Sequence, residues 1–234
     1  PKVIVTVDLF GLPANYPAIR KIADATGFYF EDGAQGFGGM IGNKACMQFR
    51  RHLHHLLFPA SLCCYGDGGA VFTDNDEWAA LADSYRNGKG MFKYDNVRIG
   101  MIALDTLQAA ILKIKFKAFR EYELRDINKA AALYTGKLSG KVKTPVVPEG
   151  HYSSWAQYTI RLDSKEERDA LQTRLKEQGI PSMVYYPTPM HGQTAYKTLN
   201  ISDDCCPTAK QLCDTVLSLP FILHHGRRDR DGLF

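Results

Sequence analysis

The sequence predicts an α/β protein built in two parts. Three observations carry that reading. First, the apolar runs Val3-Ile4-Val5-Thr6-Val7 and Phe28-Tyr29-Phe30 flank a helical stretch, giving the order strand, helix, strand. Second, a long pattern rich in Ala, Leu, Lys and Glu over about 106–138 predicts extended helix. Third, the chain changes character after the linker Thr144-Pro145-Val146-Val147-Pro148. Beyond it, an alternating strand pattern and a capped helix predict a second, smaller α/β unit.

Taken in order, the β-branched run at 3–7 predicts a strand buried on both faces of a parallel sheet. Residues 9–13 read as a loop. A helix follows over about 16–25, with Ile19, Ile22 and Ala23 on one face and Gly27 as its stop. The run at 28–30 predicts a second buried strand ending at Glu31-Asp32. A third strand at 70–73 follows the turn Gly66-Asp67-Gly68-Gly69, and 77–85 reads as helix. In the second unit, 156–162 alternates like a half-exposed strand. Ser164 is placed to cap a helix over 165–178, with Glu166 and Glu167 in its first turn and Gly179 at its end. Residues 182–186 predict one more strand. No internal repeat or low-complexity segment is present.

Composition excludes several classes. The chain has 234 residues, 45% hydrophobic and 23% charged, with a net charge of +4. These are ordinary values for a globular protein. The charges are dispersed, apart from Arg227, Arg228, Asp229 and Arg230, so no nucleic-acid partner is expected. No apolar run approaches the roughly 18 residues of a membrane span. The six cysteines include the adjacent pairs Cys63-Cys64 and Cys205-Cys206, which fit neither zinc-ligand spacing nor mutual bridging. They are read as reduced thiols, and the protein is expected to be cytoplasmic. No signal peptide is visible, and without an initiator Met the start is expected to be a cut one.

Few residues stand out for chemistry. Asp32 ends a predicted parallel strand, where open α/β sheets bind ligands, and a carboxylate there can hold a cationic ring nitrogen. From position alone it reads equally well as a capping or surface residue. The turn Gly66-Asp67-Gly68-Gly69 could approach a phosphate, although tight turns use the same residues. His52, His54 and His55 match no zinc spacing, so no metal is expected. His191 reads as a solvated loop residue.

Several segments occur together in one order. They are Val7-Asp8-Leu9-Phe10-Gly11-Leu12-Pro13-Ala14, Glu31-Asp32-Gly33-Ala34-Gln35-Gly36-Phe37-Gly38 and Cys64-Tyr65-Gly66-Asp67-Gly68-Gly69-Ala70-Val71-Phe72-Thr73. Further along come Leu104-Asp105-Thr106-Leu107-Gln108-Ala109-Ala110, Gly179-Ile180-Pro181, Tyr186-Pro187-Thr188-Pro189-Met190-His191 and Leu217-Ser218-Leu219-Pro220. On these the chain resembles the DegT/DnrJ/EryC1/StrS sugar aminotransferases, of the type I fold of enzymes dependent on pyridoxal 5'-phosphate (PLP). Trp155-Ala156-Gln157-Tyr158-Thr159 and Cys64-Tyr65-Gly66-Asp67-Gly68-Gly69 look most like the members that aminate UDP-3-keto-N-acetylglucosaminuronate.

The resemblance implies a partial large domain with a mixed, mostly parallel sheet, plus a small C-terminal α/β domain. In that division 1–115 is the remnant of the PLP-binding domain, 116–143 the connecting helix and 144–234 the small domain. It implies PLP held by a lysine as a Schiff base, a nucleotide-sugar substrate, an amino-acid donor such as glutamate, and a homodimer. It implies that Asp32 pairs with the pyridine nitrogen and that Gln35 lies beside the ring and its phenolic oxygen. Tyr186 and His191 would lie near the cofactor or sugar.

The chain also departs from the family. The motif S-F-F-P-S-K-P-L-G, which supplies a phosphate-binding serine and the Schiff-base lysine, is expected just before Cys64. Here 47–62 contains no lysine; the window around Ala60 and Ser61 stands in its place, and no lysine occurs between Lys44 and Lys89. Suitable codons for 47–58, read one base later, spell C-N-F-G-D-I-S-T-T-S-F, and 59–62, read two bases later, spell S-K-P-L. Single-base slips that scrambled this window are the expected cause. His225-Gly226-Arg227-Arg228 reads similarly as M-E-E-E. Members that replace the lysine with histidine offer no match, since His54 and His55 lie several residues too far from Cys64. The segment Ile99-Gly100-Met101-Ile102-Ala103-Leu104-Asp105 lacks the family's asparagine and arginine. The chain as written is therefore expected to be inactive, or alternatively a non-catalytic binder of a sugar nucleotide or partner. With Arg50, Arg51 and the histidines in a strand position, the segment is expected to be expelled as a loop, or the first unit to fold poorly.

Overall fold

A computed structural model describes residues 3–26, 28–48, 54–57, 68–87 and 104–221, with backbone alone at 26, 28, 54–57 and 87. The chain forms two compact units. One is Pro1–Asn128 with Val147–Ala156, and the other is Lys129–Val146 with Gln157–Phe234.

The first unit is built on β1 (Val3–Val7), α1 (Tyr16–Thr26) and β2 (Phe28–Asp32), with β1 and β2 parallel. Next come the short strands β3 (Met40–Ile41) and β4 (Lys44–Ala45), an antiparallel pair turning at Gly42. Then follow β5 (His54–Leu57), β6 (Gly69–Phe72), α2 (Asp76–Asn87) and α3 (Thr106–Ala118). The main sheet has the order β1-β2-β5-β6, parallel except for β6. The mixed, mostly parallel sheet expected from the sequence is present.

Strand alternation decides what this sheet buries. Tyr29 turns to the α1 side, where it packs with Tyr16 and Ala23 against Ile4 and Ile19. Val3, Val5 and Val7 point the other way and are 48%, 60% and 47% exposed. The expectation that β1 is buried on both faces is thus wrong. Among the described residues β1 is an edge strand, and its odd-numbered valines face away from α1. The expectation that 47–62 leaves the sheet is also overturned for 54–57, whose backbone runs between β2 and β6.

The predicted long helix is real but interrupted. α3 passes through a π-helical turn at Phe119–Glu123 into α4 (Leu124–Leu138). Lys115 pairs with Glu123 across that turn at 2.5 Å. Phe37 stacks on Phe116 and Phe119 at 5.7 and 5.8 Å between ring centroids, which anchors the loop after β2 to the helix. Strand β7 (His151–Tyr152) pairs with β3, so residues 147–156 belong to the first unit.

The second unit contains β8 (Tyr158–Arg161), α5 (Lys165–Glu177), α6 (Pro207–Thr215) and β9 (Val216–Leu219). β8 and β9 pair antiparallel, burying Tyr158, Ile160 and Leu217. Ser164 caps α5 by accepting the amide of Glu167, as its position predicted, and Gly179 ends the helical segment at φ +71°. The strand expected at 182–186 reduces to one bridge, Met183 to Ser218, because Pro181 and Pro187 leave little ladder to build. Arg168 is buried on α5 and donates to the carbonyls of Cys213 and Val216.

Among the described residues no helix is long and apolar enough to cross a membrane.

Candidate functional site

The carboxyl ends of β1 and β2 lie side by side, with Val7 opposite Asp32. Asp8 follows directly, and its N–H donates to the carbonyl of Asp32 at 3.1 Å. The Asp32 carboxylate accepts the amide of Ala34 at 3.1 Å through one oxygen. By alternation its side chain shares the face of Val5 and Val7, away from α1. Its second oxygen carries no hydrogen bond among the described residues.

Gln35 sits three residues on, in the loop between β2 and β3. Its Oε1 accepts the amide of Phe10 at 2.6 Å. Its own carbonyl accepts the hydroxyl of Ser154 at 2.7 Å. Two loops and a distant segment therefore meet at this glutamine.

Backbone strain gathers at the same place. Phe10 (φ 61°), Met47 (φ 69°) and Trp155 (φ 52°) are left-handed residues other than glycine, all in the first unit. Such residues cost about 1–3 kcal/mol each and persist only where their surroundings fix them. Each has its own N–H taken by a side chain: Phe10 by Gln35, Met47 by Glu31 and Trp155 by Ser153.

Beneath this layer lies a buried polar cluster. Asp8 and Glu31 are fully buried, and Cys46 nearly so. Tyr16 donates its phenolic hydrogen to Asp8, and Ala14 donates its amide to the same oxygen. Burial pushes the Asp8 carboxyl up to about 6; hydrogen bonds from Tyr16, Ala14 and Cys46 oppose the rise, and the charge of Glu31 adds to it. Burial, followed by the charge of Asp8, pushes the Cys46 thiol well up, so it stays neutral. Donor atoms of Asp8, Glu31 and Cys46 lie within 4.8 Å of one another, close enough to surround a metal ion. The neutral thiol and the hydrogen bonds already made to Asp8 fit a hydrogen-bonded cluster better. Sequence reasoning missed it. The available signal was an acidic residue at the carboxyl end of each parallel strand, Asp8 just after β1 and Glu31 near the end of β2.

In the second unit, Tyr186 is 51% exposed. His191 is not the solvated residue expected: its Nε2 lies 2.8 Å from Asp203, and its side chain is only 8% exposed. Ala60, Ser61, His52, Gly66, Asp67, residues 99–103 and the basic tail lie outside the described residues.

The non-covalent half of a pyridine-cofactor site fits these residues. Among the described residues one oxygen of Asp32 accepts no hydrogen bond, which suits it, at a strand end, to a cationic ring nitrogen, and Gln35 follows three residues on. The covalent half does not fit, because no lysine lies between Lys44 and Lys89.

Fold and site together define an α/β chain of the kind that holds a ligand at the ends of parallel strands. Residues 1–231 match the DegT/DnrJ/EryC1/StrS aminotransferase family. The chain belongs to that family. The UDP-2-acetamido-2-deoxy-3-oxo-D-glucuronate aminotransferase of Pseudomonas aeruginosa is 37% identical over 226 residues, covering 94% of this chain and 60% of that protein. A solved DegT DnrJ EryC1 StrS aminotransferase from Brucella abortus is 43% identical with a TM-score of 0.85, covering 94% of this chain and 59% of its own. DesV of S. venezuelae, solved in complex with a ketimine intermediate, is 31% identical with a TM-score of 0.87, covering 94% and 60%. The chain thus spans about 60% of the length of these relatives. The partial type I fold expected from the sequence is the fold they share.

Proposed function

We propose that this chain is part of a PLP-dependent aminotransferase acting on a nucleotide-linked keto sugar. The sugar would be like UDP-3-keto-N-acetylglucosaminuronate, with glutamate as donor, in cell-surface polysaccharide biosynthesis. The observation that carries the reading is Asp32, a carboxylate at the carboxyl end of a parallel strand with one oxygen that accepts no hydrogen bond among the described residues. Similarity to nucleotide-sugar aminotransferases supports the substrate class. In this reading Asp32 and Gln35 hold the ring of the cofactor, which supplies the electron sink for amino transfer when bound. Tyr186 and His191 serve the sugar or cofactor. Residues 1–115 are the remnant of the cofactor domain, 116–143 the connecting helix and 144–234 the small domain. The parent enzyme works in the cytoplasm as a homodimer. The chain itself is inactive, because the covalent anchor is missing from the window around Ala60 and Ser61.

That missing lysine favours one second reading, a non-catalytic binder of sugar nucleotides. Calorimetric titration with pyridoxamine 5'-phosphate, which needs no lysine, separates the two. The first reading expects binding that Asp32→Ala abolishes. Equal affinity of both proteins, or none in either, removes Asp32 from a cofactor site. Binding of UDP-N-acetylglucosamine without pyridoxamine 5'-phosphate favours the second.

A further inference from the structure

Ser154 lies 119 residues from Gln35 in sequence, yet its hydroxyl reaches the Gln35 carbonyl. The hydroxyl is also 3.3 Å from the carbonyl of Gly11, and the Ser154 amide donates to that carbonyl at 2.9 Å. A hydroxyl has one hydrogen, and the 2.7 Å distance assigns it to Gln35. Ser154 is 2% exposed, so water does not compete for these contacts.

The segment carrying Ser154 is itself firmly held. The amide of Asn128 donates to the Ser153 carbonyl at 3.1 Å, and its oxygen accepts the Trp155 indole N–H at 2.9 Å. Strand β7, just before it, pairs with β3. On the other side only glycine permits the approach at position 11. A Cβ there would stand 2.6 Å from the Ser154 hydroxyl and 2.5 Å from the Trp155 amide.

Gln35 is thereby fixed twice, through its carbonyl by Ser154 and through its side-chain oxygen by Phe10. A backbone N–H can meet only the oxygen of a carboxamide. The orientation of the amide is therefore decided, and its NH2 group is what remains to face a ligand.

We propose that Ser154 is a positioning residue, whose hydroxyl holds the Gln35 backbone carbonyl so that the side-chain oxygen stays on the Phe10 amide and only the N–H2 group of Gln35 is left for a ligand. This rests on the reading of Asp32 and Gln35 as a cofactor site. Ser154 touches no ligand in it and acts through Gln35 alone.

Amide hydrogen exchange in the full chain tests the positioning without any cofactor. In Ser154→Ala, the Phe10 amide is expected to exchange roughly tenfold faster, as loss of one hydrogen bond implies, approaching its rate in Gln35→Ala. The Met47 amide, held by Glu31, is expected to keep its protection. Unchanged protection at Phe10 overturns the proposal. If Ser154→Ala also exposes Met47, Ser154→Cys, which keeps the volume and a weak donor, is compared with the wild type on the same criterion. Affinity for pyridoxamine 5'-phosphate adds a readout that a merely structural serine would not give. Ser154→Ala should weaken it about tenfold, yet cause no further loss in a Gln35→Ala background. Additive losses overturn the proposal. A wild type that binds no pyridoxamine 5'-phosphate defeats the cofactor reading, and the exchange data then decide the role of Ser154 alone.

Discussion

Tyr16 donates its hydroxyl hydrogen to Asp8, and both side chains are fully buried beneath the carboxyl ends of β1 and β2. The pair joins the helix after β1 to the strand end that it covers.

The first consequence is a dependence on pH. Asp8 titrates at about 6 in the folded chain against an ordinary value of 3.8, so the native state holds the proton more tightly than the unfolded one. Its contribution is complete below about pH 4 and is lost as pH rises through 6, up to about 3 kcal/mol. Urea unfolding followed by Trp78 and Trp155 fluorescence should show the wild type losing stability as pH rises from about 4 to about 6. Asp8→Asn, which keeps an acceptor for Tyr16, should flatten that slope. Parallel slopes would exclude Asp8 as the source.

Glycine at position 11 is required by both conformation and space. Its φ of +96° is costly for any other residue, and an added Cβ would lie 2.5 Å from the Trp155 amide. Gly11→Ala should destabilise the first unit by about 3 kcal/mol or more. Gly42, at φ +56° with nothing near its Cβ position, is the control; Gly42→Ala should cost about 1 kcal/mol. Similar unfolding midpoints for the two variants would contradict this ranking.

In the second unit, Arg168 supplies the donors for the carbonyls of Cys213 and Val216 at 3.2 and 3.4 Å. Arg168→Leu leaves both without that donor in a buried setting and should cost about 3 kcal/mol in urea unfolding followed by circular dichroism. Ser164→Ala removes only the cap of α5 and should cost about 1 kcal/mol. A smaller loss at Arg168 than at Ser164 would show that the guanidinium is dispensable.

The window at 47–62 has its own test. Replacing it with the segment read from neighbouring frames restores a lysine shortly before Cys64. Treatment with PLP and borohydride should then label that lysine, as read by mass spectrometry, while the present chain carries no label between Lys44 and Lys89. Independent nucleotide reads that confirm the present frame would end the frame-slip explanation, whatever the restored chain does.

Much of the architecture is written locally. The runs at 3–7 and 28–30, the helix at 16–26 and the Ser164 cap follow from periodicity and end signals that neighbours within a few residues enforce. The position of Asp32 at a strand end was legible for the same reason. The family could be identified because its motifs lie in short contiguous stretches.

Other features depended on partners far along the chain. Whether β1 is covered on both faces depends on what packs against it, and its pattern of Val and Ile cannot record that. The strand expected at 182–186 failed because a run forms a ladder only where a neighbouring edge meets it. His191 gained Asp203 as its partner through a contact across twelve residues. The sequence by itself determined the local elements, the strand-end carboxylate and the absence of a lysine. Only the tertiary structure joined Asp8 to Tyr16 and Cys46, and brought Ser154 to Gln35 across 119 residues. Hydrogen bonds and burial act between groups that are close in space, and the folded path of the chain sets which groups those are.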